Sequence, residues 1–200
     1  MKKTILVMLA ATLFCGTSMN AQQVDYGNKH ELAITYGMFS NSEYMSFLED
    51  LVTTSITGGV MSYDNEKFFG PLTLEYFYRV KPWLGVGGIG AIAISNKDIF
   101  FDKKESGTSR GIYFSVLPAV KADWLRRKHF GMYSKLGVGV TVLSLQDKLD
   151  TGDKESGTAA AFNWQLSLIG LEAGSNSLRG FAELGFGEQG VLLAGIRYKF

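Results

Sequence analysis

Chemistry in this 200-residue chain would have to come from a few short constellations. Gly107-Thr108-Ser109-Arg110-Gly111 has the G-x-S-x-G spacing of a nucleophile elbow, where a serine on a sharp strand-to-helix turn is activated by a histidine. The histidines are His30 and His129. Gly85-Val86-Gly87-Gly88-Ile89-Gly90 matches G-x-G-x-x-G, which holds a pyrophosphate when a helix N-terminus follows it. Asp147, Asp150 and Asp153 offer hard oxygen ligands of the kind calcium takes, although Lys148 and Lys154 intervene and the spacing is not that of an EF-hand. Lys104-Glu105-Ser106-Gly107-Thr108 recurs as Lys154-Glu155-Ser156-Gly157-Thr158, which either a duplicated ligand site or a shared turn chemistry would explain.

Each constellation needs a particular backbone beneath it, and the flanking residues point to another. Residue-by-residue alternation runs through Trp83 to Ser95, so the glycines lie within a strand and make room for side chains. Ser109 precedes a strand over Gly111 to Trp124 rather than a helix. His30 and His129 fall at the opposite end of the strands, about ten residues of strand away, too far for a Ser-His contact. Both histidines are read as rim residues. A solvated charged loop accounts for the aspartates, and turn chemistry for the repeat.

The alternation recurs eight times. His30 to Phe39 sets Leu32, Ile34, Tyr36 and Met38 against Glu31, Ala33, Thr35 and Gly37. Pro71 to Val80 and Trp83 to Ser95 form a hairpin about Lys81-Pro82. Gly111 to Trp124 follows, with Pro118 predicting a bulge or distortion, since proline lacks a ladder donor. Phe130 to Leu145, Thr158 to Leu171, Leu178 to Gly187 and Val191 to Phe200 complete the set. Between them, 40–70, 96–110 and 146–157 read as long connections of 31, 15 and 12 residues, against brief turns at the other end. Within the first, Ser40 and Glu43 have capping-box spacing, and Tyr44, Leu48, Leu51 and Val52 recur at helical intervals before Gly58-Gly59.

The faces opposite the apolar ones carry Glu31, Glu75, Arg79, Lys121, Lys135, Glu183 and Arg197. Charges at mid-strand fit a polar interior with an outer face in lipid, and long loops at one end with short turns at the other fit the same arrangement. Tyr78, Trp83, Trp124, Phe181, Tyr198 and Phe200 fall near the short-turn end, as an interfacial girdle. Gly195, Tyr198 and Phe200 end the last strand. With the leader, the eight segments and the terminal Phe, the chain resembles the small eight-stranded outer-membrane barrels of the OmpA and OmpX type. That resemblance implies that Gly195, Tyr198 and Phe200 are read by the barrel assembly machinery; Leu193 stands where such signals usually carry a polar residue.

Composition agrees. Gly 24 and Pro 3 is a strand-and-turn balance, and no linker divides the chain. Met1-Lys2-Lys3, an apolar run from Thr4 to Phe14 and the small and polar residues up to Gln23 read as a signal peptide over 1–21, cut after Ala21 or alternatively Ser18. The lone cysteine, Cys15, follows the large Phe14, against lipidation. Removing Lys2 and Lys3 from the 20 basic residues leaves 18 against 19 acidic, net −1, which gives no electrostatic case for nucleic acid.

The expectation is therefore an all-β, eight-stranded antiparallel up-and-down transmembrane barrel over 22–200. An eight-stranded lumen holds side chains rather than a wide pore, and the seven mid-strand charges are expected to pair into a plug. The function expected is non-enzymatic, structural or surface-interacting, with no cofactor and no metal, residues 40–70 as the main contact region, and outer-membrane lipid and lipopolysaccharide around it. A lipid A-modifying barrel enzyme and a small channel are the alternatives.

Overall fold

The computed structural model describes residues 27–57, 60–101, 104–149 and 154–200. Eight antiparallel strands run β1 His30–Met38, β2 Met61–Lys81, β3 Leu84–Phe101, β4 Lys104–Arg126, β5 Phe130–Leu149, β6 Lys154–Gly174, β7 Leu178–Gly187 and β8 Leu192–Lys199, with a helix, α1 Asn41–Ile56, between β1 and β2. Each strand pairs with its sequence neighbours, and β8 returns to β1 to close the ring. The seam ends on reciprocal backbone bonds, His30 N to Phe200 O at 2.8 Å and Phe200 N to His30 O at 2.9 Å.

The ring is inside out relative to a water-soluble barrel. Ile34 is 58% exposed while Glu75 is 0% exposed, and the alternation Leu32, Ile34, Tyr36, Met38 outward against Glu31, Ala33, Thr35 inward holds along β1. Charged groups are withdrawn from the surface and large apolar groups presented on it, which is the pattern a lipid surround selects. No helix among the described residues is long and apolar enough to cross a membrane.

Strand length divides the ring in two. β1, β7 and β8 have 9, 10 and 8 residues, whereas β2 to β6 have 18 to 23. Nine residues at about 3.3 Å each, tilted by roughly 40°, cover about 23 Å of height, close to the apolar band of a membrane barrel. β2 to β6 thus stand well past the band. The described parts of the charged stretches 96–110 and 146–157, expected as loops, are paired strand ends: Asn96 opposes Arg110, Lys97 opposes Ser109, and Gln146 opposes Ser156. The connection over 40–70 likewise ends at Met61, where β2 begins. Charge marked these segments as leaving the membrane, but a ladder satisfies its backbone as well in water as in lipid, so the strands continue.

At Pro118 the ladder to β5 lapses between the pairs Val116–Val140 and Ala119–Gly137 and resumes in the same register, while Gly88 of β3 still opposes the proline. The missing donor therefore costs a local gap and no bulge. The register shifts lie elsewhere, among them those in β2 between Phe69 and Leu72, in β4 between Asp123 and Leu125 and in β6 between Ser167 and Ile169.

Helix α1 begins where the capping pattern puts it, with Ser40 Oγ accepting from Glu43 N at 3.2 Å. Its buried residues are Ser42 and Ser46. The apolar positions face away from the barrel.

Candidate functional site

The lumen is filled in layers. Nearest the short turns, Glu31 is paired with Arg79, receives Lys121 Nζ at 2.6 Å and lies 3.7 Å from Arg197 Nε. Arg79 also reaches Asp123 at 2.5 Å. Glu172 gathers Arg179 at 2.7 Å, Arg197 at 2.8 Å and Lys199. Glu75 and Glu183 share Lys135, and both lie near Arg197 Nη2, at 3.3 and 3.7 Å. The seven residues Glu31, Glu75, Arg79, Lys121, Lys135, Glu183 and Arg197 thus meet in one network, together with Asp123, Glu172, Arg179 and Lys199.

Aromatic rings complete this layer. Tyr133 Oη donates to Glu183 at 2.6 Å, and the Arg197 guanidinium lies 4.6 Å from the Tyr133 ring centre and 4.2 Å from that of Phe181. Phe181 therefore does not belong to the outer girdle. It is only 6% exposed, on the lumen side of β7 with Glu183, where a cation takes the ring face that lipid would have taken. Tyr78, Trp83, Trp124, Tyr198 and Phe200 are exposed on the outside.

Above the ion pairs, the turn between β7 and β8 folds into the lumen. Gly37 makes this possible, since a Cβ there would fall 1.7 Å from Gln189 O. Gln189 Nε2 donates to Glu75 at 2.7 Å and to Thr73 Oγ1 at 2.9 Å. Glu188 accepts from Ser42, Ser115 and Asn163 at 2.6–2.7 Å.

Helix α1 is tied to the rim of the mouth. Lys97 of β3 pairs with Asp50 at 2.5 Å and donates to Ser46 O at 2.9 Å, while Ser46 Oγ donates to Glu66 at 2.6 Å. Burial pushes the Glu49 and Asp50 carboxyls above their ordinary values, with Lys97 opposing the shift at both. Burial also raises the Tyr63 hydroxyl to about 12.

The remaining motifs take ordinary structural places. Ser109 Oγ donates to Asp147 at 2.5 Å within the β4–β5 ladder. His30 lies at the other end, bonded to Tyr76 Oη at 2.8 Å and stacked on Phe200, and His129 meets Gly174 O at 3.1 Å. Gly85 to Gly90 sit inside β3, paired on both sides. Asp150 and Asp153 lie outside the described residues, as does the leader over 1–21. Both copies of the repeated pentapeptide begin strands, β4 and β6, rather than preceding them. Among the described residues no three His, Cys, Asp or Glu side chains are grouped to hold a metal. On β8, a Cβ at Gly195 would fall 2.3 Å from Ile34 O, while Tyr198 and Phe200 stack outside at 5.6 Å.

Glu172 alone was hidden by the β6 bulge. Leu168 and Ile169 both face outward, so the phase that puts Asn163, Gln165 and Ser167 inside reverses and brings Glu172 in. Lys199 and Arg179 needed no such correction; they share faces with Arg197 and Glu183.

A closed ring with a charged interior and an apolar exterior decides the architecture. The chain is an eight-stranded antiparallel up-and-down β-barrel with the inverted faces of a transmembrane one. No protein-family model and no curated protein matches the sequence. Among solved structures it is similar to Ail, the attachment invasion locus protein of Yersinia pestis. In complex with the heparin analogue sucrose octasulfate, Ail shares 16% identity over 86% of this chain and 99% of that one, with a TM-score of 0.47. A second crystal structure of Ail shares 14% over the same spans, with a TM-score of 0.44. Residue roles here rest on this chain's own geometry.

Proposed function

We propose that this barrel is a non-enzymatic integral outer-membrane protein with a structural or surface-interacting role. The chain is exported by a signal peptide over 1–21, leaving 22–200 as the barrel, and is inserted by an assembly machinery that reads Gly195, Tyr198 and Phe200. It sits among outer-membrane lipid and lipopolysaccharide. Its contact surface is the part beyond the band, chiefly 40–70, with α1 and the start of β2. The lumen charges act as a fixed plug that sets register and holds the ring shut.

The observation that carries this reading is the contrast between the two ends of the lumen wall. The lower lumen is packed with paired charges, while β2 to β6 and α1 build a folded surface past the apolar band. A folded surface outside the membrane, above a lower lumen filled by ion pairs, favours contact over transport. The separation of Ser109 from both histidines weighs against acyl transfer.

The test is outer-membrane fractionation with gel migration before and after boiling, joined to a lipid A profile on overexpression and planar-bilayer conductance. A heat-dependent shift in the outer-membrane fraction, an unchanged lipid A profile and no discrete conductance are expected. An altered profile lost in Ser109→Ala would establish the enzyme, and stable conductance steps the channel.

A further inference from the structure

On α1, Tyr44, Phe47, Leu48, Leu51, Val52 and Ile56 recur at intervals of three and four, and all are 49% to 80% exposed. A helix of a folded protein ordinarily turns such a stripe to the core. Here the helix turns Ser42 and Ser46 inward instead, held by Glu188, Glu66 and Lys97, and its carboxylate Asp50 is drawn to the same lysine. The stripe is therefore fixed outward and left without charge.

Two further observations say what covers it. The anchors of α1 lie at the margin of the lipid-facing band: Asn41 bonds Asn163, next to the outward Phe162, and Asp50 bonds Lys97, three residues past Ile94. The stripe is also continuous with that band through Met38 and Phe39, immediately before the helix, and the wall above β7, β8 and β1 is low on this side. We propose that α1 is an interfacial helix whose apolar stripe lies in the outer-leaflet lipid beside the barrel, so that this part of the contact region is a lipid-binding surface. The inference rests on the membrane reading above and narrows its partner. Tethering the helix to Lys97 and Glu188 would press the mouth of the barrel against the leaflet on one side only.

The mature chain has no cysteine, which allows single labels. Leu48→Cys, Val52→Cys, Val116→Cys on the band and Thr108→Cys beyond it would each carry an environment-sensitive fluorophore, in the whole barrel reconstituted in phosphatidylcholine vesicles. Labels at 48 and 52 are expected to be quenched by brominated acyl chains to within about twofold of 116, and to resist iodide. Iodide quenching like that at 108, with no effect of brominated lipid, would overturn the proposal. Protection from both quenchers with disulfide-linked dimers would also overturn it, in favour of contact between two copies. Failure of brominated lipid to quench the label at 116 would instead sink the membrane reading itself. Heat-dependent gel migration verifies the fold of each variant.

Discussion

The carboxylate of Glu188, in the turn between the last two strands, accepts a hydrogen bond from Ser42 of α1 at 2.7 Å across the mouth of the barrel. No cation pairs with Glu188 among the described residues; its other donors are Ser115 and Asn163. One residue of the final hairpin therefore fastens the helix that follows the first strand.

Replacing it should free the helix without opening the ring. In Glu188→Leu, Ser42, Ser115 and Asn163 lose their acceptor, and hydrogen bonds to charged groups contribute about 1.5–3 kcal/mol each. Chymotrypsin should cut at Tyr44 or Phe47 at least tenfold faster than in the native chain, with the heat-dependent gel shift retained. An unchanged cleavage rate would mean that the anchors at Lys97, Glu66 and Asn163 hold α1 without Glu188.

Glu172 meets Arg179, Arg197 and Lys199 in the lower lumen. Removing one partner of a buried ionic cluster leaves the others unneutralised, at a cost of about 3–5 kcal/mol. Glu172→Leu should lower the denaturant midpoint of the barrel in detergent far more than Glu66→Gln at the mouth, read by the fraction that keeps the unboiled gel position.

Gly170 opposes Tyr133 across β5 and β6, and a Cβ at 170 would fall 2.4 Å from the ring's Cζ. Gly170→Ala should destabilise by about 1–3 kcal/mol, the range of overpacked sites. The same change in a Tyr133→Ala background should cost almost nothing. A double-mutant cycle with no coupling would refute the steric account.

The raised carboxyls of Glu49 and Asp50 make docking of α1 depend on pH. Docked, these groups hold a proton more tightly than when released, so docking is strongest at or below the ordinary carboxylate range near 4 and weakens as pH rises through the raised values. A spin label at Ser55→Cys should become more mobile as pH rises over that interval, and Asp50→Asn should flatten the change. Mobility that falls with rising pH would contradict the sign.

The period-two pattern by itself determined the strand count, the two faces and the seven lumen charges from Glu31 to Arg197, because alternation is a local property of an extended chain. Ser40 and Glu43 likewise marked the start of α1, since a cap needs only four residues. What only the tertiary structure decided depends on neighbours distant in sequence. A bulge in β6 turned Glu172 inward. Phe181, by contrast, lies inward by the same alternation as Glu183, two residues on, so its place in the lumen was legible locally and the girdle expectation overrode it. Charged stretches such as 104–110 proved to be strand because a partner lay beside them. The outward turn of the α1 stripe was hidden for the same reason: Tyr44, Leu48 and Leu51 define a helical face locally, but which way that face points is set by Lys97 and Glu188, 47 and 146 positions further along from their partners Asp50 and Ser42.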